Sequence, residues 1–159
     1  VAALQSEYSL FTRDVEDDIL ATTRELGISL VAYSPLGRGL STGTINNPNA
    51  LSDGDFRKNL PRFQGRNFEQ NLQTATALEA FAKERNITAA QLSLAWLLAQ
   101  GEDILPIPGT KRRKYLQENA AAAGIKLSAA EVRAIDDILR KNAVAGERYT
   151  EGGMKLVNR

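Results

Sequence analysis

The sequence predicts an α/β fold in which parallel strands alternate with outer helices, and three observations carry that expectation. Residues 28–33 form a continuous apolar, β-branched run of the kind that parallel sheets bury on both faces. Stretches between such runs repeat their apolar residues at helical spacing, giving the order strand, helix, strand that right-handed crossovers join. Two capping boxes, Thr88-Ala-Ala-Gln91 and Ser128-Ala-Ala-Glu131, mark helix starts further along.

Residues 2–10 are apolar-rich and free of Gly and Pro, which predicts a first strand. Asp14, Glu16, Asp17 and Asp18 gather acid where a helix would start, near its unpaired N–H groups and positive dipole end. Val15, Ile19, Leu20, Thr23 and Leu26 continue at helical spacing, and Gly27 stands where a left-handed C-terminal residue is wanted. After the second strand the period dissolves over residues 34–66, among Gly37, Gly39, Gly43, Pro48, Gly54, Pro61 and Gly65. A loop of that length is usually functional or disordered. Phe68, Leu72, Ala75, Leu78 and Phe81 predict the next helix, and Leu92, Ala95, Trp96 and Leu98 the helix opened by Thr88. Residues 104–107 read as a short third strand ending at its prolines. Helices are expected over about 112–123 and from Ser128 through Val132, Ile135, Ile138 and Leu139, and residues 142–159 read as an irregular tail.

At 159 residues, with 43% hydrophobic and 25% charged residues, the chain has the size and composition of one globular domain. Its 20 Lys and Arg against 19 Asp and Glu leave a net charge of +1, which supplies no field for nucleic acid or anionic membrane. Without cysteine there is no disulfide, thiolate nucleophile or sulfur-ligated zinc, and without histidine the usual acid–base group near neutral pH is missing. No apolar run approaches the roughly 20 residues of a membrane span and the first residues lack a basic leader region, so a cytoplasmic location is expected. The chain begins at Val1 inside a predicted strand, which suggests a piece of a longer protein.

Two segments have the residue types of a binding site. Tyr33-Ser34-Pro35-Leu36-Gly37-Arg38-Gly39 directly follows a predicted strand, and ligands of α/β proteins collect at the C-terminal ends of strands. Its glycines permit close backbone approach and Arg38 could meet a phosphate, though spacing alone fits a surface turn better. Pro108-Gly109-Thr110-Lys111-Arg112-Arg113-Lys114-Tyr115 places four consecutive basic residues at a helix start, where cations oppose the dipole. A phosphate monoester held by backbone N–H groups and two or three of those side chains would account for them. A solvated charge run accounts for them equally well.

Taken together with Gln5-Ser6-Glu7-Tyr8-Ser9 and Glu118-Asn119, these motifs resemble, in order and spacing, the last three strand ends of the aldo-keto reductase family. The resemblance covers nearly the whole chain and implies the C-terminal part of a TIM-type (β/α)8 barrel, with strands six to eight present. A whole barrel needs about 250 residues, so the barrel is expected to be incomplete in this chain. The resemblance also implies NADP(H) as cofactor. It places Gln5 at the nicotinamide carboxamide and Tyr33 against the nicotinamide ring. Ser34, Pro35, Leu36, Gly37 and Arg38 would line the pyrophosphate, with Arg57 from the long loop closing over it. Gly109 and Thr110 lead to Lys111 and Arg112 at the 2′-phosphate, while Glu118 and Asn119 would meet the adenine beside Tyr115. Ser41 stands where the family commonly has a bulky apolar residue.

The implied activity is NADPH-dependent reduction of aldehydes or ketones to alcohols. The family's catalytic Asp, Tyr, Lys and His belong to earlier strands, and none is assigned here. The expected partners are a small carbonyl substrate together with either the missing N-terminal half or a second copy, since unpaired strand edges recruit other chains. This chain alone is expected to be inactive. The rival reading is a non-catalytic truncated module that binds a nucleotide or oligomerises.

Overall fold

The computed structural model describes residues 1–47, 49 and 51–157; Pro48 and Ala50 of the long loop and Asn158 and Arg159 of the tail lie outside the described residues. Three strands, β1 (Ala3–Glu7), β2 (Ser29–Tyr33) and β3 (Ile104–Pro106), pair in parallel in the order β1-β2-β3. Leu4, Leu30 and Ile104 lie in register, as do Gln5, Val31 and Leu105, so one row of side chains faces the helices and the next faces away. Leu30, Ala32 and Ile104 are buried, whereas Gln5 and Leu105 are exposed. Within these 159 residues β2 alternates between buried Leu30 and Ala32 and half-buried Ser29, Val31 and Tyr33, because its Val31 row points away from the helical core.

Six α-helices appear among the described residues: α1 (Ile19–Glu25), α2 (Gly65–Glu84), α3 (Ala89–Leu98), α4 (Arg113–Ala121), α5 (Ala129–Lys141) and α6 (Glu151–Met154). Both predicted capping boxes form, with Thr88 and Ser128 accepting from the amides of Gln91 and Glu131 while those side chains bond back. The acidic stretch at Asp14 differs from expectation. It makes a 3-10 turn, Asp14–Glu16, before α1 begins, because Arg13 draws Glu16 (2.8 Å) and Asp136 (2.6 Å) into ion pairs instead of leaving acid to cap a helix. Gly27 closes α1 at φ +64°, as its position predicts.

α3 carries the centre of the core. Leu92, Leu94, Ala95, Trp96 and Leu97 are all buried, and the Trp96 ring meets Tyr8 edge-on at 5.5 Å. The Tyr8 hydroxyl donates to Glu16 (2.8 Å), and burial first, then that hydrogen bond, push its pKa well above the usual tyrosine value. A phenol that stays protonated longer in the fold than in the unfolded chain stabilises the fold fully below about pH 10 and loses that contribution as pH rises further. Alkaline unfolding is therefore expected to steepen above about pH 10, by up to about 1.4 kcal/mol per pH unit, and Tyr8→Phe is expected to flatten that limb in denaturant titrations. An unchanged slope would show that Tyr8 ionises normally.

The tail, aperiodic in sequence, is tied down through its backbone. Asn71 of α2, fully buried, donates to the carbonyls of Arg62 (3.0 Å) and Ala145 (2.9 Å) and accepts from the Ala145 amide (2.8 Å). Thr74 donates to the Asn142 carbonyl (2.8 Å) and Arg62 to that of Gly146 (3.1 Å). Gly146 has φ +81°, and a Cβ there would lie 2.7 Å from Asn67 Nδ2 and 3.1 Å from the Pro61 carbonyl carbon, so only glycine fits. Asn71→Ala leaves three backbone groups, one buried and two part-buried, without this partner and is expected to cost about 1–3 kcal/mol in equilibrium unfolding, with proteolysis entering the tail first. A cost near zero would mean that the tail is not held by this residue.

Candidate functional site

The segments following β2 and β3 emerge side by side at the C-terminal end of the sheet. The Ile107 amide donates to the Ala32 carbonyl (3.0 Å), which keeps the chain leaving β3 alongside β2. Between them opens a cleft of about 580 Å³, within the range of small-molecule sites. Ser34, Pro35, Leu36, Arg38, Gly39, Thr42, Thr44 and Arg57 line it from the loop after β2, and Ile107, Pro108, Gly109, Thr110, Arg112, Tyr115, Glu118 and Asn119 from β3 through α4. Ala90 of α3 completes the wall.

The loop after β2 owes its shape to left-handed backbone. Ser34 (φ +49°) and Arg38 (φ +56°) adopt it without being glycine, at a cost of about 1–2 kcal/mol each. Gly39 turns at φ +99° where a Cβ would sit 2.8 Å from Ile45 Cδ1. Short backbone bonds run from Gly37 to Ser34 and from Gly39 to Leu36, each 2.9 Å. Arg57 reaches across the loop to donate to the Arg38 carbonyl (2.9 Å) and is itself fixed by Asp55 (2.6 Å), whose carboxyl those hydrogen bonds hold below its ordinary pKa.

Beneath the loop lies a buried polar cluster. Glu7, the last residue of β1, is wholly buried and accepts both terminal nitrogens of Arg38 (2.9 and 2.6 Å) and the Thr12 hydroxyl (2.9 Å). Arg62 stands 3.9 Å from the same carboxylate. Tyr149, from the tail, lies against the other side of this group: its ring is 4.7 Å from the Arg38 guanidinium and its hydroxyl is 2.9 Å from that of Tyr33. Burial, then the bond to Tyr149, raise the Tyr33 pKa above its usual value.

At the start of α4, Lys111, Arg112, Arg113 and Lys114 are all exposed, and no side chain caps the helix. The Arg112 amide bonds the Thr110 hydroxyl (3.1 Å) and its guanidinium lies 5.7 Å from the Tyr115 ring. The first N–H groups of α4, its dipole and the exposed Arg112 thus lie at one mouth of the cleft, an arrangement suited to a phosphate. Glu118 contributes one carboxylate oxygen to the Thr88 hydroxyl (2.7 Å).

Eleven of the fifteen expected binding residues border this one cleft; Gln5, Tyr33, Gly37 and Lys111 do not. Gln5 lies within β1 in register with Val31, and Tyr33 lies at the end of β2 in register with Glu7. Thr42, Thr44 and Ala90 line the cleft although no motif singles them out. Glu7 could have been found, since alternation along β1 puts it on the same face as Gln5. Tyr149 could not, because no local pattern ties it to the strands.

Comparison with known proteins gives a consistent set of matches. The model of the aldo/keto reductase family matches residues 1–140. The NADP(+) aldo-keto reductase yakc of Schizosaccharomyces pombe is 49% identical over 98% of this chain and 47% of its own length. Aldo-keto reductase str7 of Strobilurus tenacellus is 44% identical over 99% of this chain and 48% of its own. The chain therefore spans about half the length of the curated relatives it matches. Among solved structures, a glycerol dehydrogenase from Gluconobacter oxydans superposes with a TM-score of 0.84 at 30% identity, covering 92% of this chain and 45% of that one. An aldo/keto reductase from Klebsiella pneumoniae in complex with NADP and acetate gives 0.59 at 27%, covering 94% and 43%.

Proposed function

The chain belongs to the aldo/keto reductase family, and on that premise we propose that the protein reduces aldehydes or ketones to alcohols with NADPH, these 159 residues forming the C-terminal part of a (β/α)8 barrel. One observation carries the reading: a single cleft at the C-terminal sheet end unites the loop after β2 with the arm that runs from β3 into the first turns of α4, two segments about fifty residues or more apart in sequence. Its residues suit a dinucleotide. A glycine-bearing left-handed loop gives close backbone approach to a pyrophosphate, and an uncapped, basic helix start faces a phosphate monoester.

NADPH, when bound, supplies the hydride; the chain supplies position and charge. Ser34, Pro35, Leu36, Gly37 and Arg38 form the pyrophosphate loop, with Arg57 fastened across it. Gly109 and Thr110 lead to Lys111 and Arg112, which hold the 2′-phosphate and select NADPH over NADH. Tyr115, Glu118 and Asn119 border the adenine. Gln5 and Tyr33 serve the nicotinamide from the strand ends. The acid–base set lies in the remainder of the protein, which pairs with the open edge of β1.

The direct test is titration of the full-length protein with NADPH, followed by its fluorescence, and then aldehyde reduction followed at the nicotinamide absorbance. Saturable NADPH binding with carbonyl-dependent oxidation is expected. Absence of NADPH binding would overturn the reading.

A further inference from the structure

Resemblance alone would point Arg38 at the pyrophosphate, but the structure commits its side chain elsewhere. That side chain is 8% exposed, and both terminal nitrogens bond the wholly buried Glu7 carboxylate. One side of the guanidinium group is covered by the Tyr149 ring, which a hydroxyl–hydroxyl bond fastens in turn to Tyr33. The Arg38 backbone sits at φ +56°, ψ +27°, a conformation disfavoured for any residue with a Cβ, and its carbonyl accepts from Arg57. Strained backbone persists only where its surroundings over-determine it. Here the determinants come from β1, β2, the long loop and the tail, and all meet at this one residue.

We propose that Arg38 is a positioning residue, an internal strut clamped between Glu7 and Tyr149 that holds the loop after β2 in its cofactor-cradling shape, and that it is not itself a phosphate ligand. Glu7 and Tyr149 become positioning residues by the same argument. Tyr149 lies beyond residue 140, where the family match ends, so this chain braces the loop from a segment outside that match. The cofactor part of the inference rests on the function proposed above; the strut itself does not.

The two roles for Arg38 predict opposite signs. If Arg38 were a phosphate ligand held back by Glu7, removing the carboxylate charge in Glu7→Gln would release it and tighten NADPH binding. If it is a strut, Glu7→Gln leaves a buried cation with a weaker partner and lets the loop collapse, so NADPH and NADH binding both weaken, by about tenfold or more and in equal measure. Tyr149→Leu removes the cover from the other side while leaving the Glu7–Arg38 ion pair intact, which keeps the test available should Glu7→Gln fail to fold. Tyr149→Phe retains the ring and loses only the Tyr33 bond, and is expected to recover most of the affinity.

The second measurement needs no cofactor. Amide hydrogen exchange in the full-length protein is expected to accelerate at residues 34–43 in Glu7→Gln and Tyr149→Leu, while β1, β2 and α3 keep their protection. Tighter or unchanged NADPH binding in Glu7→Gln, or unaltered exchange at residues 34–43 in either variant, would overturn the strut. A wild-type protein that binds no NADPH would overturn the proposed function, and the exchange measurement would still decide the strut.

Discussion

Offered NADPH and a panel of aldehydes and ketones, these 159 residues on their own are expected to show no turnover. The chain has no histidine, so it cannot contain the family's carbonyl-orienting His. A general acid needs a pKa near the working pH, and two of the chain's four tyrosines, Tyr8 and Tyr33, are pushed the other way. Tyr8 is wholly buried and bonded to Glu16, and burial drives its pKa away from neutrality. Tyr33 and Tyr149 bond each other, with Tyr33 raised in the same direction. Tyr115 stands on the exposed side of α4, over Arg112. If these residues are, as proposed, a cofactor cradle without the acid, they retain only binding and orientation, and the rate should lie orders of magnitude below the roughly 1–1,000 per second of ordinary enzymes. The assay is NADPH absorbance against a no-carbonyl blank. Turnover in the ordinary range would show that the chemistry resides in these residues after all.

The second large effect is expected at the start of α4. Arg112→Met or Lys111→Met in the full-length protein should weaken NADPH binding about ten- to a hundredfold, since on the proposed reading each would remove a charge-assisted contact worth about 1.5–3 kcal/mol. NADH, which lacks the 2′-phosphate, should bind nearly as before. Arg112 borders the cleft itself, so its loss should be the larger of the two. Lys114→Met is the control: this exposed residue lies inside α4, one helical turn beyond Lys111 and past the helix start where the phosphate is proposed to sit, and should be close to silent. Fluorescence titration at a fixed, stated ionic strength is the measurement, because salt screens exposed charges. Equal losses for both cofactors, or none, would reduce the basic run to a solvated helix start. This pattern also differs from the one expected of Glu7→Gln, which should weaken both cofactors alike.

Much of this molecule is written in local chemistry. The capping boxes at Thr88 and Ser128, the left-handed stop at Gly27 and the apolar run ending at Tyr33 each depend on residues within a turn or a strand of one another, and each appears where its pattern places it. The motifs around Ser34 and Gly109 were not decided by local pattern, which fits a surface turn and a solvated charge run as well or better; the family resemblance singled them out, and the parallel order of the strands brings them to one side. Sequence alone also excluded disulfides and a histidine acid.

What depends on distant partners was not legible. The acid at Asp14 looks like a helix cap until Arg13, anchored to Asp136 on α5, takes Glu16 away. Residues 142–149 have no period because they are held through backbone carbonyls by Asn71, Thr74 and Arg62, and a backbone bond leaves no trace in the side chains it spans. Arg38 reads as an anion ligand because a glycine-rich loop and a cation are the local ingredients of one. Only the fold brings Glu7, 31 residues earlier in the chain, to within 2.6 Å of it and lays Tyr149 across it. Residue type determined which groups could carry charge, and tertiary packing decided which of those charges were already spent.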